Sequence, residues 1–268
     1  MFLSRPARAA LRVVAGLGVA FLYAPLIVIA VLSFNTARSF SWPPTGFTLN
    51  WWTKAFAHGG FPTDALWTSV KTATVAALIA VMLGSALSFA VHRFSFFGRN
   101  TVSLLVVLPI ALPGIVTGIS LNAGFHQVGI DLGLMTLVIA HATFCIVIVY
   151  NNVIARLRRL SPNLEEASAD LGADLFQTFR FVTFPLVRSA LLAGGVLAFA
   201  LSFDEIVVTT FTAGAGIQTL PQWIFNNLFR PNQLPIVNVV ATFVVLLSII
   251  PVWAVQKLSD GTPGIAGR

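Results

Sequence analysis

Six apolar runs, at 11–34, 66–91, 102–125, 134–154, 186–211 and 234–255, constrain this chain more than any other feature. A helix needs about 20 apolar residues to cross the hydrocarbon core of a bilayer. Inside that core each backbone N–H and C=O must be satisfied within the protein, so such runs are read as helices. The expected fold is an all-α membrane protein with six transmembrane helices, forming a single domain over residues 1–268. Composition agrees: 57% of the residues are hydrophobic and only 9% are charged, where soluble domains carry about 25% charged residues. The 23 Phe and 6 Trp suit a lipid-facing surface with aromatic belts. Arg5, Arg8 and Arg12 lie at the start of the first run. That run is too long for a signal-peptide core and no small-residue cleavage site closes it, so an uncleaved first span is expected.

The basic residues orient the spans. With the N-terminus inside, the loops around Arg93 and Arg99 and from Arg156 to Arg188 share its side, as does the tail. Twelve of the 16 Lys and Arg lie there: Arg5, Arg8, Arg12, Arg93, Arg99, Arg156, Arg158, Arg159, Arg180, Arg188, Lys257 and Arg268. Arg38, Lys54, Lys71 and Arg230 remain for the other side or its edge. The positive-inside rule therefore places both termini in the cytoplasm. It also accounts for the net charge of +7 without a nucleic-acid partner.

Several chemistries are excluded. Cys145 is the only cysteine and lies in an apolar run, which rules out an internal disulfide framework or a cysteine metal cluster. No G-x-x-x-x-G-K-[ST] phosphate loop, Cys/His metal spacing or nucleophile elbow is present. No catalytic or metal-binding residue is assigned, and the chain is not expected to hydrolyse ATP itself.

The third run is interrupted by Pro109, Pro113, Gly114 and Gly118. Prolines free carbonyls that are tolerated at membrane depth only when buried or lining a cavity. A kinked, pathway-lining helix is one reading. Ordinary close packing through the Gly114 and Gly118 pair is the other. His126 and His141 fit either proton relays or packing residues, and Asn122 either the path or a helix contact. Trp223 and Phe203 fit cation stacking or, for Trp223, interface anchoring.

The segment 160–185 carries four of the nine acids, Glu165, Glu166, Asp170 and Asp174, between two apolar runs. Glu166, Ala167, Asp170 and Asp174 recur at helical steps, with Ala169, Leu171 and Ala173 between them. Ser161 is the expected N-cap, with Pro162 in the first turn and the acids near the positive end of the helix dipole. Gly172 either ends the helix or lets a partner approach, and Pro185 restarts helix at the membrane surface. This segment resembles the cytoplasmic EAA loop of ABC-importer permeases. Glu166-Ala167-Ser168 is followed three residues later by Gly172, and nine residues after that by Val182, Thr183 and Phe184-Pro185. Ser168, Val182 and Phe184 stand where the family pattern has Ala, Ile and Leu. The resemblance implies a cytoplasmic coupling helix between spans 4 and 5. Glu165, Glu166, Ala167, Ser168, Asp170, Leu171, Gly172 and Ala173 would then meet an ATPase subunit.

The fifth run holds Asp204 and Glu205, and intramembrane acids are functional candidates by default. At 1.5 Å per residue Asp204 lies roughly 27 Å beyond Leu186, in the outer third. Helical periodicity groups Ser202, Glu205, Thr209 and Thr212 on one stripe and Leu201, Asp204, Val208 and Phe211 on its neighbour. On that reading Glu205 is the candidate cavity acid, with Asp204 beside it, and Asp204, Glu205, Ser202 and Thr209 are the substrate-pathway residues. A structural acid bonded to neighbouring helices is the plainer reading.

The SFDE stretch at 202–205 and FTLNWW at 47–52 resemble permeases of the spermidine/putrescine type. That resemblance implies a permease subunit in a bacterial inner membrane, carrying cationic amines. It implies two ATPase copies that bind ATP and Mg, a second and different permease chain, and a periplasmic binding protein. This chain itself would hold no cofactor. Another small solute (amino-acid-like, opine, phosphonate or iron) fits the same class. An ion-coupled secondary transporter and a pathless membrane scaffold are the alternatives from other classes.

Overall fold

A computed structural model describes residues 4–57, 59–161 and 163–260. The expected place of Pro162 and the tail beyond residue 260 lie outside the described residues. The elements are α1 (Arg5–Leu32), α2 (Asn50–Ala57), α3 (Thr63–Arg93), α4 (Arg99–Ala111), α5 (Gly114–Gln127) and α6 (Leu134–Leu157). They continue with α7 (Asn163–Asp170), α8 (Leu175–Thr178), a π-turn (Phe179–Thr183), α9 (Phe184–Asp204), α10 (Val207–Thr212), α11 (Leu220–Leu228) and α12 (Leu234–Asp260). The described residues contain one isolated β-bridge, Asn35 with Phe47, and no strand.

Among the described residues, four helices are long and apolar enough to cross a membrane: α1, α3, α6 and the continuous Leu175–Asp204 helix. The α4–α5 pair raises this to five if it crosses once. In the sixth run, the described apolar part of α12 is the shorter Leu234–Ile250.

The chain forms two compact units. In Thr63–Trp223, α6 is central: 67% of its most apolar window is buried, against 33% for α3. Helices are not driven together by hydrophobicity in lipid, so close packing relies on small residues. The buried face of α3 is made of them: Ala65, Ser69, Ala73, Ala76, Ala80 and Gly84. A Cβ on Gly84 would lie 2.9 Å from the Ile146 carbonyl oxygen, and one on Gly194 would lie 3.2 Å from Val149 Cα. Ala140, Phe144, Cys145, Val149 and Val153 of α6 pack with Val187 and Ala198 of α9. Cys145 is thus a core residue, its Sγ 3.3 Å from the Ala198 carbonyl oxygen.

Two expected spans are broken. The third, expected over 102–125 as one helix, bends by 107° between α4 and α5. Pro113 has no N–H to continue the ladder and pushes Leu112 into an extended conformation (φ −81°, ψ 144°). Gly114 and Gly118 then face α10: a Cβ on Gly118 would lie 2.8 Å from Phe211 Cδ2. The fifth, expected over 186–211, stops at Asp204, with Glu205 extended (φ −73°, ψ 118°). The Glu205 carboxylate Oε1 accepts the Val208 N–H at 2.9 Å, satisfying a donor at the start of α10.

The bent pair joins the two ends of this unit. Arg93, at the end of α3, and Leu157, at the end of α6, line the same cleft. Thr136, at the start of α6, donates to the Thr212 carbonyl oxygen 2.9 Å away, at the far end of α10. The helices α3 and α6 therefore run parallel, and α4 and α5 carry the chain from one end of the unit to the other.

The second unit comprises residues 1–62 and 224–268. None of the most apolar window of α1 is buried, leaving Leu17, Phe21 and Leu22 exposed. The connection after α1 is ordered around Asn35. Its Oδ1 accepts from the Thr45 N–H and hydroxyl, each at 3.1 Å, while its carbonyl accepts Trp51 Nε1–H at 2.8 Å. The short helix α2, in a stretch expected to be a polar connection, stacks Trp52 on Phe34 and Phe56 on Phe61.

Candidate functional site

Two polar places lie at opposite ends of the Thr63–Trp223 unit. At the first, α7 closes on a left-handed glycine. Gly172 has φ +82°, its N–H donates to the Ala169 carbonyl at 2.9 Å, and Ala173 N–H donates to the Ser168 carbonyl at 3.1 Å. This reciprocal pair satisfies carbonyls that the helix end leaves unpaired. Gly172 therefore ends the helix. The described part of the helix begins at Asn163, and the Ser161 carbonyl accepts the Leu164 N–H at 3.3 Å; the expected step from Ser161 through Pro162 lies outside the described residues.

Asp174 restarts helix at once. Its Oδ1 accepts the Gln177 N–H at 2.7 Å, and Gln177 Oε1 accepts the Asp174 N–H at 2.9 Å. Ser168 and Thr178 hydroxyls, 3.0 Å apart, tie α7 to α8. The segment from Leu175 to Asp204 is continuous helix through the π-turn, so Pro185 sits in the first turn of α9 without a gap before it.

The eight expected coupling residues divide by direction. Glu165 turns back to the body, accepting the Thr183 hydroxyl at 2.7 Å and facing Arg93 Nη2 at 3.4 Å. Ser168 and Ala173 are half-buried. Glu166, Ala167, Asp170, Leu171 and Gly172 are exposed, and Leu171 is 89% exposed. Leu175 and Phe176 extend this apolar edge, and the sequence reading did not single them out. Their signal was an apolar pair directly after a capping acid. Behind α7 a cleft of about 590 Å³ is lined by Arg93, Leu157, Leu160, Glu165, Thr183 and Leu186.

At the opposite end lies the broken fifth span. Asp204 is exposed, and its carboxylate makes no hydrogen bond or ion pair among the described residues. Glu205 is half-buried and occupied as a cap. The stripe that joined Ser202, Glu205 and Thr209 assumed a continuous helix, so it does not carry through the break. Ser202 and Thr209 are both buried against His141 rather than facing a cavity: Nδ1 lies 2.7 Å from Ser202 Oγ and Nε2 2.9 Å from Thr209 Oγ1. His141 is a packing residue with two partners, and His126 is exposed at the end of α5. Asn122 Nδ2 donates to the Phe211 carbonyl at 2.6 Å, so it joins α5 to α10.

Residues 73–262 match the family of binding-protein-dependent transport system inner membrane components. The spermidine/putrescine transport system permease protein PotC of Haemophilus influenzae is 36% identical over 231 residues, 86% of this chain and 88% of that protein. The putrescine transport system permease protein PotI of Escherichia coli is 34% identical over 236 residues, 85% of this chain and 83% of that one. In fold, the chain is similar to a solved bacterial ABC transporter involved in importing the acidic polysaccharide alginate. The TM-score is 0.69 at 14% identity, covering 96% of this chain and 95% of that one. By family match, sequence similarity and fold together, this chain belongs to the binding-protein-dependent transport system inner membrane components, the permease subunits of ABC importers.

Proposed function

We propose that this permease carries a cationic amine of the putrescine and spermidine class, with Asp204 and Glu205 as the acids it meets near the outer face. The observation that carries this reading is Asp204: an exposed carboxylate at a helix break, without a protein partner among the described residues. A carboxylate in low dielectric attracts an ammonium far more strongly than one in water. The naming of the similar permeases for spermidine and putrescine supports the same cargo.

The working assembly pairs this chain with a second, different permease, two ATPase copies that bind ATP and Mg, and a periplasmic binding protein. All six apolar runs cross a bacterial inner membrane, both termini are cytoplasmic, and residues 1–268 act as one permease domain. The basic residues on the α7 side and the parallel course of α3 and α6 support that orientation. The exposed edge formed by Glu166, Asp170, Leu171 and Leu175 docks on the ATPase, and ATP-driven closure moves α7 and, through the continuous helix, α9.

The test is ATPase stimulation of the reconstituted complex by loaded binding protein. Putrescine and spermidine should stimulate, neutral and anionic solutes should not, and Asp204→Asn should abolish the response. Stimulation by an anionic solute that Asp204→Asn leaves intact would refute the assignment.

A further inference from the structure

The fifth span is held across its break by one side chain from another helix. His141 is completely buried on α6, with one ring nitrogen on Ser202 in the last turn of α9 and the other on Thr209 in α10. The break at Glu205 and Ile206 lies between those two hydroxyls.

The proton order follows from the acceptors. Thr209 Oγ1 lies 2.7 Å from the Glu205 carbonyl oxygen, which can only accept, and the Thr209 hydrogen is assigned to that bond. With that assignment the same oxygen accepts from His141, and Nε2 carries the ring hydrogen. Nδ1 then holds a lone pair and accepts the Ser202 hydroxyl. The chain runs Ser202 O–H to Nδ1, Nε2–H to Thr209, and Thr209 O–H to the Glu205 carbonyl, with each donor used once. The Glu205 carboxylate is fixed separately by the Val208 N–H.

We infer that His141 is a positioning residue for the acidic pair: by clasping Ser202 and Thr209 it sets the break that pins Glu205 and presents Asp204. Without the clasp, α9 and α10 lose their shared anchor. The buried Ser202 hydroxyl also loses its partner, and unpaired buried polar groups are costly. This rests on the reading that the acids receive a cationic cargo, but the clasp itself is testable without transport.

The first arm is ¹⁵N NMR of the histidine-labelled complex in nanodiscs, with His141 assigned by the signals that His141→Gln removes. The expected spectrum has Nε2 protonated and Nδ1 bare, and Ser202→Ala should shift the Nδ1 resonance most. No response of the ring-nitrogen resonances to Ser202→Ala would overturn the clasp.

The second arm is putrescine-stimulated over unstimulated ATPase activity, per assembled complex. His141→Leu removes the partner of the Ser202 hydroxyl and the ring contact to Thr209, which keeps the Glu205 carbonyl, and should cut the ratio about tenfold or more, whereas His141→Gln keeps one donor and one acceptor and should stay within about threefold of wild type. Equal losses in the two variants would overturn the positioning role. If the wild-type complex ignores putrescine, the amine reading has failed, and the NMR arm still decides the clasp.

Discussion

Replacing Gly172 by asparagine, alanine or valine separates backbone conformation from packing at the end of α7, the proposed coupling helix. Gly172 sits at φ +82°, and a Cβ built there meets nothing within 4 Å. The cost of a side chain is therefore conformational. An ordinary L-residue in the left-handed region loses about 1–2 kcal/mol, asparagine less, and a β-branched residue more. A loss of about 1–2 kcal/mol is a factor of roughly 5–30 in an equilibrium. Here the equilibrium is between the closed turn, with Ala173 N–H on the Ser168 carbonyl, and an open one. Amide hydrogen exchange at Ala173 reads that opening, and cargo taken up per ATP hydrolysed reads its consequence. The expected order in both is Gly, then Asn, then Ala, then Val. If asparagine were as damaging as valine, bulk against the ATPase rather than backbone angle would control the site. If valine matched wild type, the closed turn would have no part in coupling.

Three further outcomes follow from contacts. Gly118→Ala should lower thermal stability in detergent by about 1–3 kcal/mol, because the new methyl meets the Phe211 ring at 2.8 Å; Gly114→Ala, 3.4 Å from Val207, should be close to neutral. At Glu165 the two partners differ: the Arg93 pair is 47% and 38% exposed and should contribute under about 1 kcal/mol in a double-mutant cycle, vanishing near 1 M salt. The Thr183 hydroxyl, 2.7 Å away, should show the larger coupling, about 1.5 kcal/mol and insensitive to salt. Glu205→Gln keeps the oxygen that caps Val208 and should unfold near the wild-type temperature, whereas Glu205→Ala should lose about 1 kcal/mol.

The parts of this structure that rest on local pattern were legible in the sequence. The expected 134–154 and 66–91 runs fall within α6 and α3, because length and hydropathy alone decide a lipid-crossing helix. Gly172 was marked as a helix end or a close approach, and its positive φ makes it the former. The prolines of the third run signalled a kink, though not one of 107°. The break in the fifth run had no such signal, since neither proline nor glycine lies beside Glu205. It rests on a carboxylate turned onto backbone and on an imidazole some sixty residues earlier. Glu165 likewise turns inward because of Thr183 and Arg93, which no helical spacing connects to it. Helices α2 and α11 are too short for a periodic signal to stand out from polar connections.

The most direct measurement is uptake of radiolabelled putrescine into proteoliposomes bearing the assembled complex, with ATP trapped inside and loaded binding protein outside. The expected result is uptake that requires both ATP and binding protein, falls in Gly172→Val, and is lost in Asp204→Asn. Uptake by this chain alone, driven by a proton or sodium gradient and indifferent to ATP, would contradict it.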